Sequence, residues 1–257
     1  MSVLASGTPM CDRPETAEPV PKSALGRAHR LFSCFHYDET RLTLSELSRR
    51  SGLPLSTTHR MVTEMVRLGM LDRDRDDRLC IGVNLWRLGL LAGTYGIQRV
   101  ALPYMQDLYA TTGLPIHLAI PQGEQTTVVE SLRPLEQRLE RPRIGQHDPM
   151  HVVGNGMAIL AFSDPPLQQR YLARLACTEA EDVRRELART RTIGYSVSTR
   201  RTGPSIAIGA PVLDRGGRPL AAISIIVPPG SAVTPYGHLM RDTAHAVQRM
   251  AWDQALV

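Results

Sequence analysis

At 257 residues, 42% of them apolar, the chain can bury two modest cores, which favours two soluble domains over one. A formal net charge of +5 suits a polyanionic partner but falls well short of a histone-like tail, so charge permits nucleic-acid binding without establishing it. The four cysteines, Cys11, Cys34, Cys80 and Cys177, form no CxxC pair, which argues against a zinc ribbon or a disulfide framework and fits a reducing cytoplasm, and no apolar run approaches bilayer length.

Residues 1–22 are rich in Pro, Glu, Thr and Ala and are expected to form a disordered tail. A helix is predicted over 23–35, where Leu25, Ala28, Leu31, Phe32 and Phe35 recur at helical spacing behind Ser23 as a cap. The segment TLSELSRRSGLPLSTTHRMVTEMVRLGML at 43–71 then reads as two short helices joined at Gly52, a helix-turn-helix. In its first half Leu44, Leu47 and Ser48 share a face, while Arg49 and Arg50 fall near the end, where cations suit the helix dipole. In its second half Ser56 is the expected cap and Met61, Met65 and Leu68 the expected buried stripe, with Thr57, Thr58 and Arg60 projecting. The charged run DRDRDDRLC at 72–80 fits a β-hairpin wing whose Arg73, Arg75 and Arg78 approach phosphates; the alternative is a solvated loop.

An apolar helix, VNLWRLGLLAGTYG, follows from Val83 with Leu85, Leu88 and Leu91 along one stripe. It packs either on the same helix of a second subunit, as in twofold readers of palindromic operators, or back on its own chain. From about residue 98 helix and strand patterns mix. A helix to 112 is followed by strands IHLAI at 116–120 and TTVVESL at 126–132, then by helices over 155–162, 166–176 and 179–190. Strands SIAIGAPV and PLAAISIIV flank the turn DRGG at 214–217 and make a hairpin in a sheet covered on both faces, and a helix over 236–255 ends the chain. The resulting class is α+β: a winged helix-turn-helix over 23–82, a linker and dimerisation helix over 83–97, and a sensor domain over 98–257.

The order of these parts, together with the segments LSELSRRSGLPLSTTHRMVTEMVRLGMLDR, MHVVGNGMAILAF, GYSVS and IAIGAPVLDRGGRPLAAISI, resembles the IclR family of bacterial transcriptional regulators across 23–257. The resemblance implies a GAF-like effector domain behind the winged helix, assembly as a homodimer or a dimer of dimers, double-stranded operator DNA and a small-molecule effector as partners, and no cofactor or metal. It places the recognition helix on 55–68, with Ser56, Thr57, Thr58 and Arg60 as DNA contacts, Arg49 and Arg50 behind them and Arg75 in the wing. Arg60 has an alternative as a salt-bridge partner of Glu64.

The same resemblance implies an effector pocket at Gly154, Asn155, Ser198, Ala207, Ser224 and Ile226. Gly154 and Gly156 either turn backbone N–H groups toward an anion or serve a structural turn. Ser198, Ala207 and Ile226 stand where relatives often carry an acid, a cysteine and a serine, so the pocket suits a small organic acid with an apolar or aromatic body. Arg200 and Arg201 adjoin it, and the loop GYSVSTRRTGPS, hinged at Gly194 and Gly203, is the expected moving element.

Enzyme readings find little. No GxSxG, Walker or HExxH motif occurs, Pro149 interrupts the helix that would align His147 with His151, and Glu124, Glu130 and Glu136 lack a convergent base or nucleophile. Two alternatives to a ligand-responsive regulator remain: a DNA-binding protein whose C-terminal half only oligomerises, and a small-molecule enzyme.

Overall fold

A computed structural model describes residues 21–36, 39–134, 144–199 and 205–254, which divide into two compact units, Met1–Leu88 and Gly89–Val257. The expected tail, apart from Pro21 and Lys22, lies outside the described residues, as do Glu136, Arg200, Arg201 and Gly203.

In the first unit, α1 (Ala24–Phe32) is capped by the Ser23 side chain, which accepts from the Gly26 N–H. Helix α2 (Leu44–Ser51) opens with a reciprocal capping box: the Thr43 hydroxyl takes the Glu46 N–H, and the Glu46 carboxylate takes the Thr43 N–H. Gly52, in the left-handed region at φ 67°, ends α2 and allows the tight entry into α3 (Leu55–Arg67). Strands β1 (Leu71–Arg73) and β2 (Leu79–Ile81) pair antiparallel, and Leu42 joins them through backbone hydrogen bonds to Leu79. The core beneath is Leu31, Leu42, Leu47, Leu53, Val62, Met65, Leu71 and Leu79.

Three local expectations change. Helix α3 starts at Leu55 behind Pro54 with no side-chain cap, so Ser56 lies inside the helix. Its buried stripe is Thr58, Val62 and Met65, whereas Leu68 is exposed and Met61 half-buried, because the helix turns its 58, 62 and 65 positions toward α1 and α2. The single linker helix is two: α4 (Val83–Gly89) and α5 (Gly93–Thr112), with the break at glycines of low helix propensity and Ala92 extended as the new N-cap.

The second unit is built on a six-stranded antiparallel sheet of β3 (Ile116–Gln122), β4 (Gln125–Leu132), β5 (His147–Pro149), β6 (Ser196–Thr199), β7 (Ile206–Leu213) and β8 (Pro219–Val227), in the order β5-β4-β3-β8-β7-β6. Alternation assigns the faces. Ile116, Leu118, Ile208, Ala210, Ile223 and Ile225 face α5 and α9 (Val233–Asp253), while Ala222 packs with α6 (Gly154–Phe162), α7 (Pro165–Leu172) and α8 (Cys177–Ile193). The β7–β8 hairpin turns on Asp214, whose carboxylate accepts the Arg218 N–H at 2.8 Å, and on Gly217 at φ 78°. Strands β5 and β6 are additions to the sequence reading. The first half of GYSVSTRRTGPS is therefore a strand hydrogen-bonded to β7 rather than a loop, and Gly194 is the left-handed cap of α8.

Candidate functional site

At 100° per residue, consecutive side chains of a helix cannot share a face. Thr58 is fully buried and its hydroxyl donates to the Pro54 carbonyl at 3.1 Å, which corrects its expected role as a DNA contact. Thr57 is half-buried, and Ser56 and Arg60 lie opposite the core. Thr63 and Arg67 continue that outward stripe at helical spacing; counting turns from Ser56 would have found them. Glu64 is taken by Arg67, not by Arg60.

Arg50 pairs with Glu39 at 2.7 Å, while Arg49 stays exposed at the end of α2. The wing sorts its cations similarly. Arg73 pairs with Asp77 at 2.6 Å and Arg78 with Glu46 at 3.5 Å, leaving Arg75 exposed at the tip. The Asp74 carboxylate shapes the turn by accepting the N–H groups of Arg78 and Asp76, and these bonds hold its pKa below the usual carboxylate range.

The predicted effector residues gather where α6 crosses the sheet. A Cβ on Gly156 would approach the Met150 carbonyl oxygen to 2.5 Å, so that glycine is required by close packing alone, and one on Gly154 would make a tight contact of 3.0 Å with the Ala207 carbonyl carbon. The Ser196 hydroxyl donates to the Gly154 carbonyl at 2.6 Å and the Ser198 hydroxyl to the Val152 carbonyl at 3.1 Å. Strand register lines up two rows on this face. One is Ser198, Ala207 and Ile226; the other is Ser196, Gly209, Ser224, His117 and Ser131. His117, 2% exposed, meets the Ser131 hydroxyl through its Nδ1 at 3.0 Å. Neither residue was expected at the site, and the only sequence signal is a histidine on the inward beat of an apolar strand.

Ser198 also lines a separate cavity of about 390 Å3 with His151, Glu179, Asp182 and Glu186. Three carboxylates make it a poor place for an anion. His151 is held there by the Tyr171 hydroxyl at 2.7 Å, and the ring of His147 bonds Thr127 instead, so the two histidines have different partners. Glu124 pairs with Arg174, and Glu130 accepts from Gln98 at 2.8 Å.

Two family models match this chain: the IclR helix-turn-helix domain over residues 24–75 and the bacterial transcriptional regulator IclR C-terminal domain over 91–249. The chain belongs to the IclR family. It is an HTH-type transcriptional regulator, with the winged helix as its DNA-binding part. Similar curated IclR proteins include KipR of Bacillus subtilis (strain 168), 27% identical over 194 residues, 72% of this chain and 78% of that protein. The repressor AllR of Escherichia coli (strain K12) is 26% identical over 91% of this chain and 93% of its own. Among solved IclR structures, a homolog from Microbacterium hydrocarbonoxydans complexed with 4-hydroxybenzoate superposes with a TM-score of 0.81 at 28% identity, covering 89% of this chain and 98% of that one. The Thermotoga maritima IclR, at 19% identity and a TM-score of 0.68, shares the fold over 87% of this chain and 96% of its own. No helix among the described residues is long and apolar enough to cross a membrane.

Proposed function

We propose that the protein binds a twofold operator as a homodimer or dimer of dimers in the cytoplasm, and that a small organic acid on the α6 face of the sheet controls this binding. Ser56 and Arg60 read base edges, and Arg49 and Arg75 contact phosphates. Helix α4 supports the dimer: it buries no residue, and Trp86 is 62% and Leu88 59% exposed. The observation that carries the effector reading is the buried polar row beneath α6, in a chain 28% identical to a protein whose structure holds 4-hydroxybenzoate. The acid marks a catabolic substrate, and the regulated operon is a catabolic one.

Regulation requires the acid to bind the DNA-competent and DNA-incompetent forms with different affinity; equal binding shifts nothing. No step in this scheme calls for catalysis or a cofactor. The test is binding of the purified protein to its own upstream DNA across a salt series and a panel of aromatic and aliphatic acids. Specific binding that one acid alters is the expected result. Specific DNA binding with no response and no thermal stabilisation by any acid would leave the C-terminal half an oligomerisation module.

A further inference from the structure

Two side chains around this sheet face have a buried polar atom with no hydrogen bond among the described residues. Arg133 follows Leu132, the last residue of β4, and its Nη1 is buried with no hydrogen bond. The Asn155 Oδ1, on a residue 5% exposed, is buried with none either. Ser224, whose hydroxyl is the third polar group on this face, is 2% exposed.

Their places are related. Leu132 pairs with Ile116, and the Ile226 N–H donates to the Pro115 carbonyl, so Arg133 lies at the end of the sheet where Pro115 and Ile226 lie. Ser224 is the cross-strand partner of Gly209, and a Cβ on Gly209 would come within 2.8 Å of the Asn155 nitrogen. Ala207 and Ile226, paired two residues along from Gly209 and Ser224 on the same face, add an apolar surface beside them.

Buried polar groups are ordinarily paired, and an enclosed guanidinium nitrogen without an acceptor is the most costly kind to leave. Its complement is an anion, best a carboxylate that meets the guanidinium fork. Asn155 Oδ1 asks for the opposite, a donor, which a carboxylate cannot be. From β4 to β7, beside which Asn155 packs, is three strand spacings, about 14 Å, a gap that an arginine side chain, one six-membered ring and an asparagine side chain can bridge together.

We propose that Arg133 is the carboxylate receptor of the effector site and that Asn155, with Ser224, receives a hydroxyl group, so the effector is a hydroxyl-bearing organic acid with an apolar body. This rests on the organic-acid reading above and adds which end of the ligand meets which residue. The two ends are separable in chemistry. Arg133 sets affinity for any acid; Asn155 sets the preference for a hydroxylated one.

The experiment is calorimetric titration of the full-length protein with benzoate, 4-hydroxybenzoate, 4-fluorobenzoate and the uncharged 4-hydroxybenzamide. Parent protein is expected to prefer 4-hydroxybenzoate to benzoate and to 4-fluorobenzoate by about tenfold, and to bind 4-hydroxybenzamide at least about tenfold more weakly. Arg133→Gln should weaken both hydroxylated and plain acids, with Arg133→Lys between. Asn155→Leu should erase the hydroxyl preference, leaving 4-hydroxybenzoate and benzoate with equal affinity. Acids that bind with no hydroxyl preference, or equally well to Arg133→Gln, overturn the proposal and leave the effector reading standing. If none of the benzoates binds, the proposal falls, and the organic-acid reading is decided by the wider panel of aromatic and aliphatic acids.

Discussion

The pair Arg60 and Thr58 separates base reading from folding, two residues apart on one helix. Replacing Arg60 by Ala removes an exposed side chain with Glu64 already engaged by Arg67, so the fold should keep its stability to within about 0.5 kcal/mol. If Arg60 meets a base edge, each engaged recognition helix loses about 1–3 kcal/mol of discrimination, roughly 5- to 150-fold in affinity for the operator over random DNA. Replacing Thr58 by Val does the reverse. The hydroxyl bond to the Pro54 carbonyl is lost, but the Thr58 N–H still donates to that carbonyl at 2.9 Å, so no buried acceptor is orphaned. The cost should be about 1 kcal/mol, a fall of several degrees in the melting of a winged helix of this size, with operator discrimination unchanged. Competition binding of operator against random DNA, with thermal melts of the same preparations, reads both numbers. Discrimination retained in Arg60→Ala, or lost in a stable Thr58→Val, would refute the assignment of faces on α3.

Other consequences follow from the same geometry. Arg75→Ala should weaken specific and random DNA alike and reduce the slope of log affinity against log salt by about 0.9 per wing engaged; an unchanged slope would remove the wing tip from the phosphate backbone. Gly209→Ala forces a methyl against the Asn155 backbone nitrogen, so it should cost about 1–3 kcal/mol and lower the melting temperature of the sensor unit by at least about 2 °C, which differential scanning calorimetry would detect. Trp86→Ser should weaken self-association in sedimentation runs, and an unaltered dimer would place the interface away from α4. Hydrogen bonds from Thr43 hold the Glu46 carboxyl below its ordinary pKa, so its stabilisation is present above the carboxylate range and fades as pH falls through the lowered value. Glu46→Gln keeps the capping contact without the titration; its deficit against parent in urea melts should shrink from pH 7 to pH 3, and a constant deficit would contradict the linkage.

Local patterns carried much of this protein. The 3.6-residue spacing of apolar side chains located α1, α2 and α3, the β-branched runs on either side of 214–217 located β7 and β8, and the motif order located the family. These depend on neighbours within a few residues, which a sequence displays directly. Helix phase was legible too: at 100° per residue Ser56, Thr57, Thr58 and Arg60 cannot share one face, and Thr58 is the one that lies inside. What adjacent residues do not encode is which distant groups meet. Arg50 is claimed by Glu39 eleven positions away, Arg73 and Arg78 by acids across the wing and on α2, and the row of Ser131, His117, Ser224, Gly209 and Ser196 is drawn from five strands whose order departs from chain order. Register and strand order are settled by burying two opposite faces at once, under α5 and α9 on one side and α6 on the other, and that choice is made by the whole sheet rather than by any segment of it.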